Sequence, residues 1–176
     1  RSNKSQVQDQ FFCTRFVSEA KAGESTTQSC LFPLYLYPSV SRKDLFDSDE
    51  PSDAPGGRRP NLSPDFIKEF SDKLGLEFVP DGKGDLRKTF GPEDVFDYIY
   101  AVFHSPTYRK RYAEFLKIDF PRVPLTSDVK LFRKLCALGA ELVALHLMES
   151  PVLDTLVTKY PASGNNAVER VSYNDE

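Results

Sequence analysis

Four helix start signals lie between residues 63 and 128, and they constrain the fold of this chain more than any other feature. At three of them a small residue stands directly before proline, namely at Ser63, Gly91 and Ser105. Such a residue can cap the free N–H groups of a first turn, and proline has no N–H to leave unpaired there. The fourth signal is Asp128, which follows another serine. We therefore expect about four helices over residues 61–150.

The last of these helices is the longest, and we expect it to run to about Met148. Its charged residues fall on one narrow stripe, so the rest of its surface is predicted to be buried against more than one neighbour, with Leu135 and Leu142 fully buried. The apolar surface also includes Leu131, Phe132, Leu138, Val143 and Leu145. Gly139 costs about 1 kcal/mol relative to alanine in a helix, so we expect another element to cross closely there.

Residues 1–38 are predicted to be β structure, because runs 11–17 and 30–37 are rich in aromatic and β-branched residues. Residues 39–60 combine acidic side chains with proline and glycine, which predicts a flexible acidic loop. Residues 151–176 form a C-terminal tail in which residues 168–173 return as a possible short strand. The predicted class is α+β, with short N-terminal strands before about four helices, as part of a larger domain.

The charge and the cysteines limit the classes of function. The net charge is −3 and the pI is about 5.5, so a DNA contact has to be local, because DNA-binding domains are usually basic. Cys13, Cys30 and Cys136 are far apart, which argues against a zinc site or a disulfide framework and favours buried thiols in a reducing cytoplasm. No apolar run is long enough for a membrane helix. The start at Arg1 without methionine suggests a piece of a longer protein.

No catalytic constellation is visible in the sequence. His104 and His146 are predicted to lie on different helices, the first with a capping or hydrogen-bonding role and the second as a core histidine. Residues 81–85 contain two aspartates and two glycines, but the lysine between them argues against a calcium loop and favours a tight turn. We therefore expect no enzymatic activity, cofactor or metal in this chain itself; a small hydrolase would need a pocket with paired titratable groups.

One segment is locally basic. Residues 104–124 contain five lysines and arginines against Glu114 and Asp119. Helical spacing puts Arg109 and Lys110 where they can meet phosphate and places Arg111 along an aromatic edge, and the inward face is predicted to hold Tyr108, Tyr112 and Phe115. A solvated helix face explains the same residues without a ligand, and spacing alone favours that simpler interpretation.

Three segments carry a resemblance to a known family. They are residues 30–38 (CLFPLYLYP), residues 59–64 (RPNLSP) and residues 93–124 (EDVFDYIYAVFHSPTYRKRYAEFLKIDFPRVP), and the end of the last helix at 142–147 (LVALHL) fits as well. In this order, and over nearly the whole chain, they resemble the C-terminal specificity domain of type ISP restriction-modification enzymes. Members of that bacterial family join a nuclease, a helicase-like ATPase and an adenine-specific DNA methyltransferase in one polypeptide. The resemblance implies that such a parent uses S-adenosylmethionine, ATP and magnesium.

For this chain the resemblance implies recognition of double-stranded DNA, next to an upstream methyltransferase domain. Recognition would position the duplex for adenine methylation and cleavage. The expected DNA contacts are Arg109, Lys110, Lys117 and Arg122, together with the loop residues Arg42, Lys43, Arg58 and Arg59. The alternative is an interaction module that docks the recognition domain onto the methyltransferase without touching DNA, which the acidic pI favours. No residue that contacts bases can be assigned by motif.

Overall fold

The structure is a computed structural model that describes residues 11–18, 29–37, 57–155, 163–165, 167 and 170. The flexible loop predicted over residues 39–60 lies outside the described residues up to position 56. The strand predicted over 168–173 is likewise outside them except at Arg170. The chain is an α+β protein, as the sequence predicts, with two small sheets and five α-helices in the described part.

The first sheet is a short antiparallel pair. Strand β1 (Tyr35–Leu36) pairs with β2 (Arg59–Pro60), so that Tyr35 lies opposite Pro60. The strand predicted over residues 30–37 thus has only two residues. Its partner, β2, lies at the end of the segment 39–60 that was predicted to be a loop. The prediction of a strand over residues 11–17 is wrong. A strand needs a neighbour for its backbone groups, and residues 11–18 have no strand partner in the described part of the chain; Phe11 packs on the helix that carries Phe103 instead, while Phe16 and Val17 are exposed.

Two contacts fix this N-terminal segment. Phe11 packs on Phe103, with ring centroids 4.7 Å apart and the rings tilted by 33°. Arg15 donates from Nε and Nη2 to the two carboxylate oxygens of Glu149, at 2.6 and 2.8 Å. The segment is therefore held by long-range contacts to residues 103 and 149 and not by a sheet.

The first two helices begin where the sequence predicts. Helix α1 (Pro64–Leu74) is capped by the Ser63 hydroxyl, which accepts from the N–H of Phe66 at 3.2 Å, and it ends at Gly75 with φ 64°. Helix α2 (Pro92–His104) follows Gly91, whose N–H donates to the Asp94 carboxylate at 2.9 Å. Each of these caps uses residues within one turn of the helix end, so the sequence alone predicts where the helices begin.

A second sheet lies between α1 and α2, and the sequence does not signal it. Strand β3 (Glu77–Phe78) runs parallel to β4 (Thr89–Phe90), and each strand has only two residues. The loop between them contains the turn predicted over residues 81–85, in which Gly82 has a φ of 66°. Strands of two residues show no alternation pattern, so the turn is predictable and the strands are not.

The third predicted helix is two helices. Helix α3 (Pro106–Arg111) is capped by Ser105, and α4 (Ala113–Ile118) starts after a break at Tyr112, where φ is −107° and ψ is 16°. The break interrupts the helical period. Phe115, predicted to face inward, is 67% exposed for this reason.

Helix α5 (Val129–His146) begins at Asp128, whose carboxylate accepts from the N–H groups of Lys130 and Leu131. It packs on α2, and the predicted close crossing at Gly139 is confirmed. A Cβ on this glycine would lie 1.9 Å from the carbonyl oxygen of Asp97. Only a residue without a side chain lets the two backbones approach so closely.

The predicted burial of α5 is wrong in part. The helix buries Phe132, Cys136 and Gly139 against α2, whereas Leu131 and Leu138 are 45% and 59% exposed. Leu135 and Leu142, predicted to be fully buried, are half-buried. The cause is that, among the described elements, α2 makes the main contact with α5 and covers one side of it.

The core is a cluster of aromatic rings around Phe70. The ring of this residue lies 5.3 to 5.6 Å from those of Phe90, Tyr98 and Phe132, and all four side chains are buried. One ring each comes from α1, β4, α2 and α5, so the cluster joins four elements. Burial of each such side chain contributes about 2–3 kcal/mol.

The cysteines differ in burial. Cys136 is buried, Cys13 is half-buried and Cys30 is exposed, so the prediction of three buried thiols is wrong for Cys30. Residues 29–31 are all exposed, because the two-residue strand that follows them gives the run little to pack on. Among the described residues, no helix is both long and apolar enough to cross a bilayer.

Candidate nucleic-acid interface

The basic segment predicted from the sequence is held in one place by Tyr108. Its side chain is buried, and its hydroxyl donates to the carbonyl oxygen of Arg122 at 2.8 Å. This bond fixes the loop after α4 against α3. The cations of α3, of α4 and of this loop therefore belong to one segment of the surface, which we call the α3–α4 surface and define by Lys110, Lys117 and Arg122.

These three cations are exposed, and two of them have carboxylate neighbours. Lys117 Nζ lies 2.7 Å from Glu114, and Arg122 lies 3.7 Å from Asp119 with 91% of its side chain exposed. Ion pairs at such exposure are worth about 0–1 kcal/mol, so a phosphate can replace the carboxylate at little cost. The surface can thus bind a polyanion, although Glu114 and Asp119 reduce its positive electrostatic potential.

Arg109 has a different environment from the one its spacing predicts. Its Nε donates to the carbonyl oxygen of Phe103 at 2.7 Å, and Nη2 lies 2.9 Å from His104 Nδ1. The guanidinium also lies 5.9 Å from the centre of the Phe11 ring. Arg109 thus joins α3 to the end of α2 and to the N-terminal segment. Arg111 lies 5.7 Å from the centre of the Tyr112 ring, as expected for packing along an aromatic edge.

The loop cations predicted to contact DNA lie on another element. Arg58 donates to Asp81 at 2.7 Å, and its guanidinium stacks over the Tyr35 ring at 4.0 Å. Hydrogen bonds to Tyr37 and Asp81 raise the pKa of Arg58 above its usual value. Arg59 is exposed in β2. The other two predicted loop cations, Arg42 and Lys43, lie outside the described residues.

The two histidines are brought together, which the sequence does not reveal. Their rings lie 5.2 Å apart, and Tyr100 Oη is 2.6 Å from His146 Nδ1. His104 Nε2 lies 3.1 Å from the carbonyl oxygen of Phe11, which confirms its predicted hydrogen-bonding role. His146 is exposed, so its assignment to the core is wrong.

A shallow cleft of about 280 Å³ lies beside this cluster, lined by Phe11, Phe12, Cys13, Tyr100 and His146. Burial raises the pKa of the Tyr100 hydroxyl, so that it stays protonated and acts as a hydrogen-bond donor. Among the described residues, no group of three or more histidine, cysteine or acidic side chains could hold a metal ion. The polar atoms of the cluster connect the N-terminal segment to α2 and α5.

The structure also gathers cations that the sequence does not connect. Arg133 of α5 donates from Nε to the carbonyl oxygen of Leu86, in the loop between β3 and β4. This contact joins α5 to the loop that carries Arg87 and Lys88, the two residues that follow Leu86. Arg87 and Lys88 are more than 40 positions from Arg133 in the sequence, so the sequence does not indicate that they are related. It shows only the charged stripe of α5.

Comparison with protein families gives a match over the whole chain. The sequence profile of the type ISP C-terminal specificity domain matches residues 1–176, the whole chain. A search of curated proteins and a search of solved structures found no match. Since the profile covers every residue, the resemblance of the three segments extends to the complete sequence. The chain belongs to the family of type ISP C-terminal specificity domains.

Proposed function

We propose that the chain recognises a target in double-stranded DNA and positions the duplex for adenine methylation and cleavage by other domains of a restriction-modification polypeptide. The observation that carries this proposal is the match of the whole chain to a specificity-domain family. In such recognition, phosphate contacts set the register of the protein on the duplex and contacts to base edges supply the specificity. The domain itself performs no chemical step.

We place one set of phosphate contacts on the α3–α4 surface. The chain as a whole carries a charge of −3, so attraction to DNA has to come from local positive charge. Lys110 is exposed and has no ion pair within the described part of the chain, while Lys117 and Arg122 can exchange their exposed carboxylates for phosphate. Arg109 contributes its charge and holds α3 in place.

The other cations named from the sequence have a second role in this proposal. Arg59 belongs to β2 and Arg58 directly precedes it, while Arg42 and Lys43 lie between the two strands of this sheet in the sequence. We place base-edge and further phosphate contacts in this region, because loops carry recognition residues more often than the packed elements that support them. Arg58 contributes through its charge while it remains bonded to Asp81.

A salt titration of duplex binding tests the α3–α4 surface. In the full-length protein, Lys110→Glu should weaken binding to target and unrelated duplexes by the same factor. It should flatten the plot of log affinity against log salt by roughly one unit for each lost phosphate contact. Lys68→Glu is the matched control, since Lys68 is an exposed lysine of α1 without an ion pair in the described part of the chain. Equal slopes for wild type and Lys110→Glu would contradict the assignment of this surface.

A second candidate function is docking onto the methyltransferase without DNA contact. The observation in its favour is a set of exposed apolar side chains beside the same cations: Phe115, Ile118 and Phe120 are 67%, 75% and 59% exposed. If docking is the function, Ile118→Ser should abolish association of the separately expressed domain with the rest of the protein. In that case the lysine variants should leave DNA affinity unchanged.

A further inference from the structure

The loop of residues 82–88 is fixed from within by one carboxylate. Asp85 Oδ1 accepts from the N–H groups of Arg87, Lys88 and Thr89 at 2.8, 2.7 and 3.0 Å. These backbone bonds hold the pKa of Asp85 well below its usual range. The negative charge of the loop therefore points at its own backbone, and the side chains of Arg87 and Lys88 extend outward.

The same loop is fixed from outside by two neighbouring elements. Gly82 N–H donates to the hydroxyl of Tyr35 in β1 at 2.9 Å, and Gly84 N–H donates to the carboxylate of Asp94 in α2 at 2.7 Å. A Cβ on Gly84 would lie 2.4 Å from the carbonyl oxygen of Thr89, so the loop closes tightly on β4. The backbone that carries the two cations is thus held in place without a ligand.

The third contact joins the loop to α5. Leu86 adopts a φ of 55°, a conformation that costs energy for a residue with a Cβ, and its carbonyl oxygen accepts from Arg133. Phe90, at the end of the loop, contacts Phe132 with ring centroids 6.0 Å apart. Two adjacent residues of α5 therefore hold this loop, and the loop lies over the first turns of the helix.

Helical spacing places two more cations, Lys130 and Lys134, on the face of α5 that carries Arg133. Lys130 lies one turn before Arg133, and Lys134 follows it directly, so all three share a face of α5. Both side chains are exposed. At this end of α5 the Asp128 carboxylate already accepts from the N–H groups of Lys130 and Leu131, so attraction for a further anion has to come from the side chains.

The charge balance of this region is opposite to that of the chain. Residues 82–89 and 128–137 contain six lysines and arginines and two carboxylates, and α2 adds the carboxylates of Asp94 and Asp97, which contact the loop. Asp85 and Asp128 accept hydrogen bonds from backbone N–H groups, as loop anchor and as helix cap. Lys83 is paired with Asp97 at 2.7 Å. The remaining exposed cations, which have no ion pair within the described part of the chain, are Arg87, Lys88, Lys130 and Lys134.

We propose that these four residues form a second DNA surface, the loop–helix surface, which binds the phosphate backbone of the duplex. This inference rests on the proposed function for the identity of the polyanion. The loop is ordered before DNA arrives, so binding loses little conformational entropy. Arginine and lysine side chains that meet only phosphate hold the duplex whatever its sequence, so this surface contributes affinity and register, and the specificity comes from elsewhere.

The test uses two double variants of the full-length protein and a short labelled duplex of random sequence. Arg87→Gln with Lys88→Gln changes the loop, and Lys130→Gln with Lys134→Gln changes the helix. Each pair should flatten the slope of log affinity against log salt by about two units and weaken binding roughly tenfold near 200 mM salt. The Asp85 bonds use backbone N–H groups, so these side-chain changes leave the loop folded, and unchanged thermal unfolding checks this.

The control is a pair of exposed lysines on α1, Lys68→Gln with Lys73→Gln, which removes the same charge elsewhere and should leave the slope unchanged. If this control flattens the slope as much, net charge and not a surface is responsible, and the inference is overturned. Wild-type slopes in both double variants, with a flattened slope in Lys110→Glu, would overturn the loop–helix surface and leave the proposed function standing. No binding of any duplex by the wild type at low salt would overturn both.

Discussion

Replacement of Gly139 by alanine should destabilise the protein, although alanine is the better helix former. By helix propensity alone the change would stabilise α5 by about 1 kcal/mol. At the crossing with α2, however, the new Cβ would lie 1.9 Å from the carbonyl oxygen of Asp97, whereas an ordinary contact needs at least 3.4 Å. The two backbones would have to separate by roughly 1.5 Å at this point.

Such a separation would act on the whole helix pair. Cys136 and Phe132 lie on the same buried face of α5 as Gly139, and the Cys136 thiol contacts the carbonyl oxygen of Asp94 at 3.3 Å. Overpacking of this kind costs about 1–3 kcal/mol, and here the obstacle is backbone, which cannot rotate away. Because the clash is with backbone, the upper end of this range applies, and with the gain in propensity subtracted we expect a net loss of about 2 kcal/mol.

Urea unfolding followed by circular dichroism measures this difference. The matched control is Ala137→Gly, at an exposed position of the same helix, which should cost about 1 kcal/mol through propensity alone. Gly139→Ala that proves as stable as the wild type, or more stable, would refute the close packing of α2 on α5.

Three further results are expected. Phe132→Ala should cost about 3–5 kcal/mol in urea unfolding because the ring is fully buried, whereas Leu138→Ala, at 59% exposure, should stay within about 0.5 kcal/mol of the wild type. Asp85 has a folded pKa below its unfolded value of about 3.9, so it stabilises the fold at neutral pH and this contribution is lost as the pH falls below about 4. Asp85→Asn should therefore be less stable than the wild type at neutral pH, and the difference should shrink in acid; a difference independent of pH would contradict the role of the carboxylate. Burial raises the pKa of Cys136 to about 12, so a thiol-reactive dye at neutral pH should label the exposed Cys30 and reach Cys136 only after unfolding, as mass spectrometry of the labelled peptides can show.

Local signals made part of this fold predictable. The caps at Ser63, Gly91, Ser105 and Asp128 act within one turn of their own helices, so the sequence locates the helix starts. Gly139 was informative for a similar reason, since a residue that disfavours a helix needs a packing cause.

Features that depend on distant partners were not predictable. Residues 11–17 have the composition of a strand, but a strand also needs a paired neighbour. The exposure of Phe115 follows from a break at the single residue Tyr112.

The candidate site also combines features that local sequence predicts with features that depend on distant partners. The basic character of residues 104–124 is visible in the sequence, but the partners of Arg109 are a carbonyl oxygen and a histidine ring that spacing does not indicate. The loop–helix surface depends on contacts of α5 with Leu86 and Phe90, and the first of these joins residues 47 positions apart. Only the folded chain shows that these cations share a surface.

The contacts of the N-terminal segment also set an order of events in folding. Phe11 meets His104 across 93 positions, and Arg15 meets Glu149 across 134 positions. The helices between them form from contacts that are closer in sequence, whereas these two pairs require the closure of very long loops. During synthesis the Arg15–Glu149 ion pair cannot form until Glu149 has left the ribosome. The first described residues of the chain are therefore among the last to reach their final place.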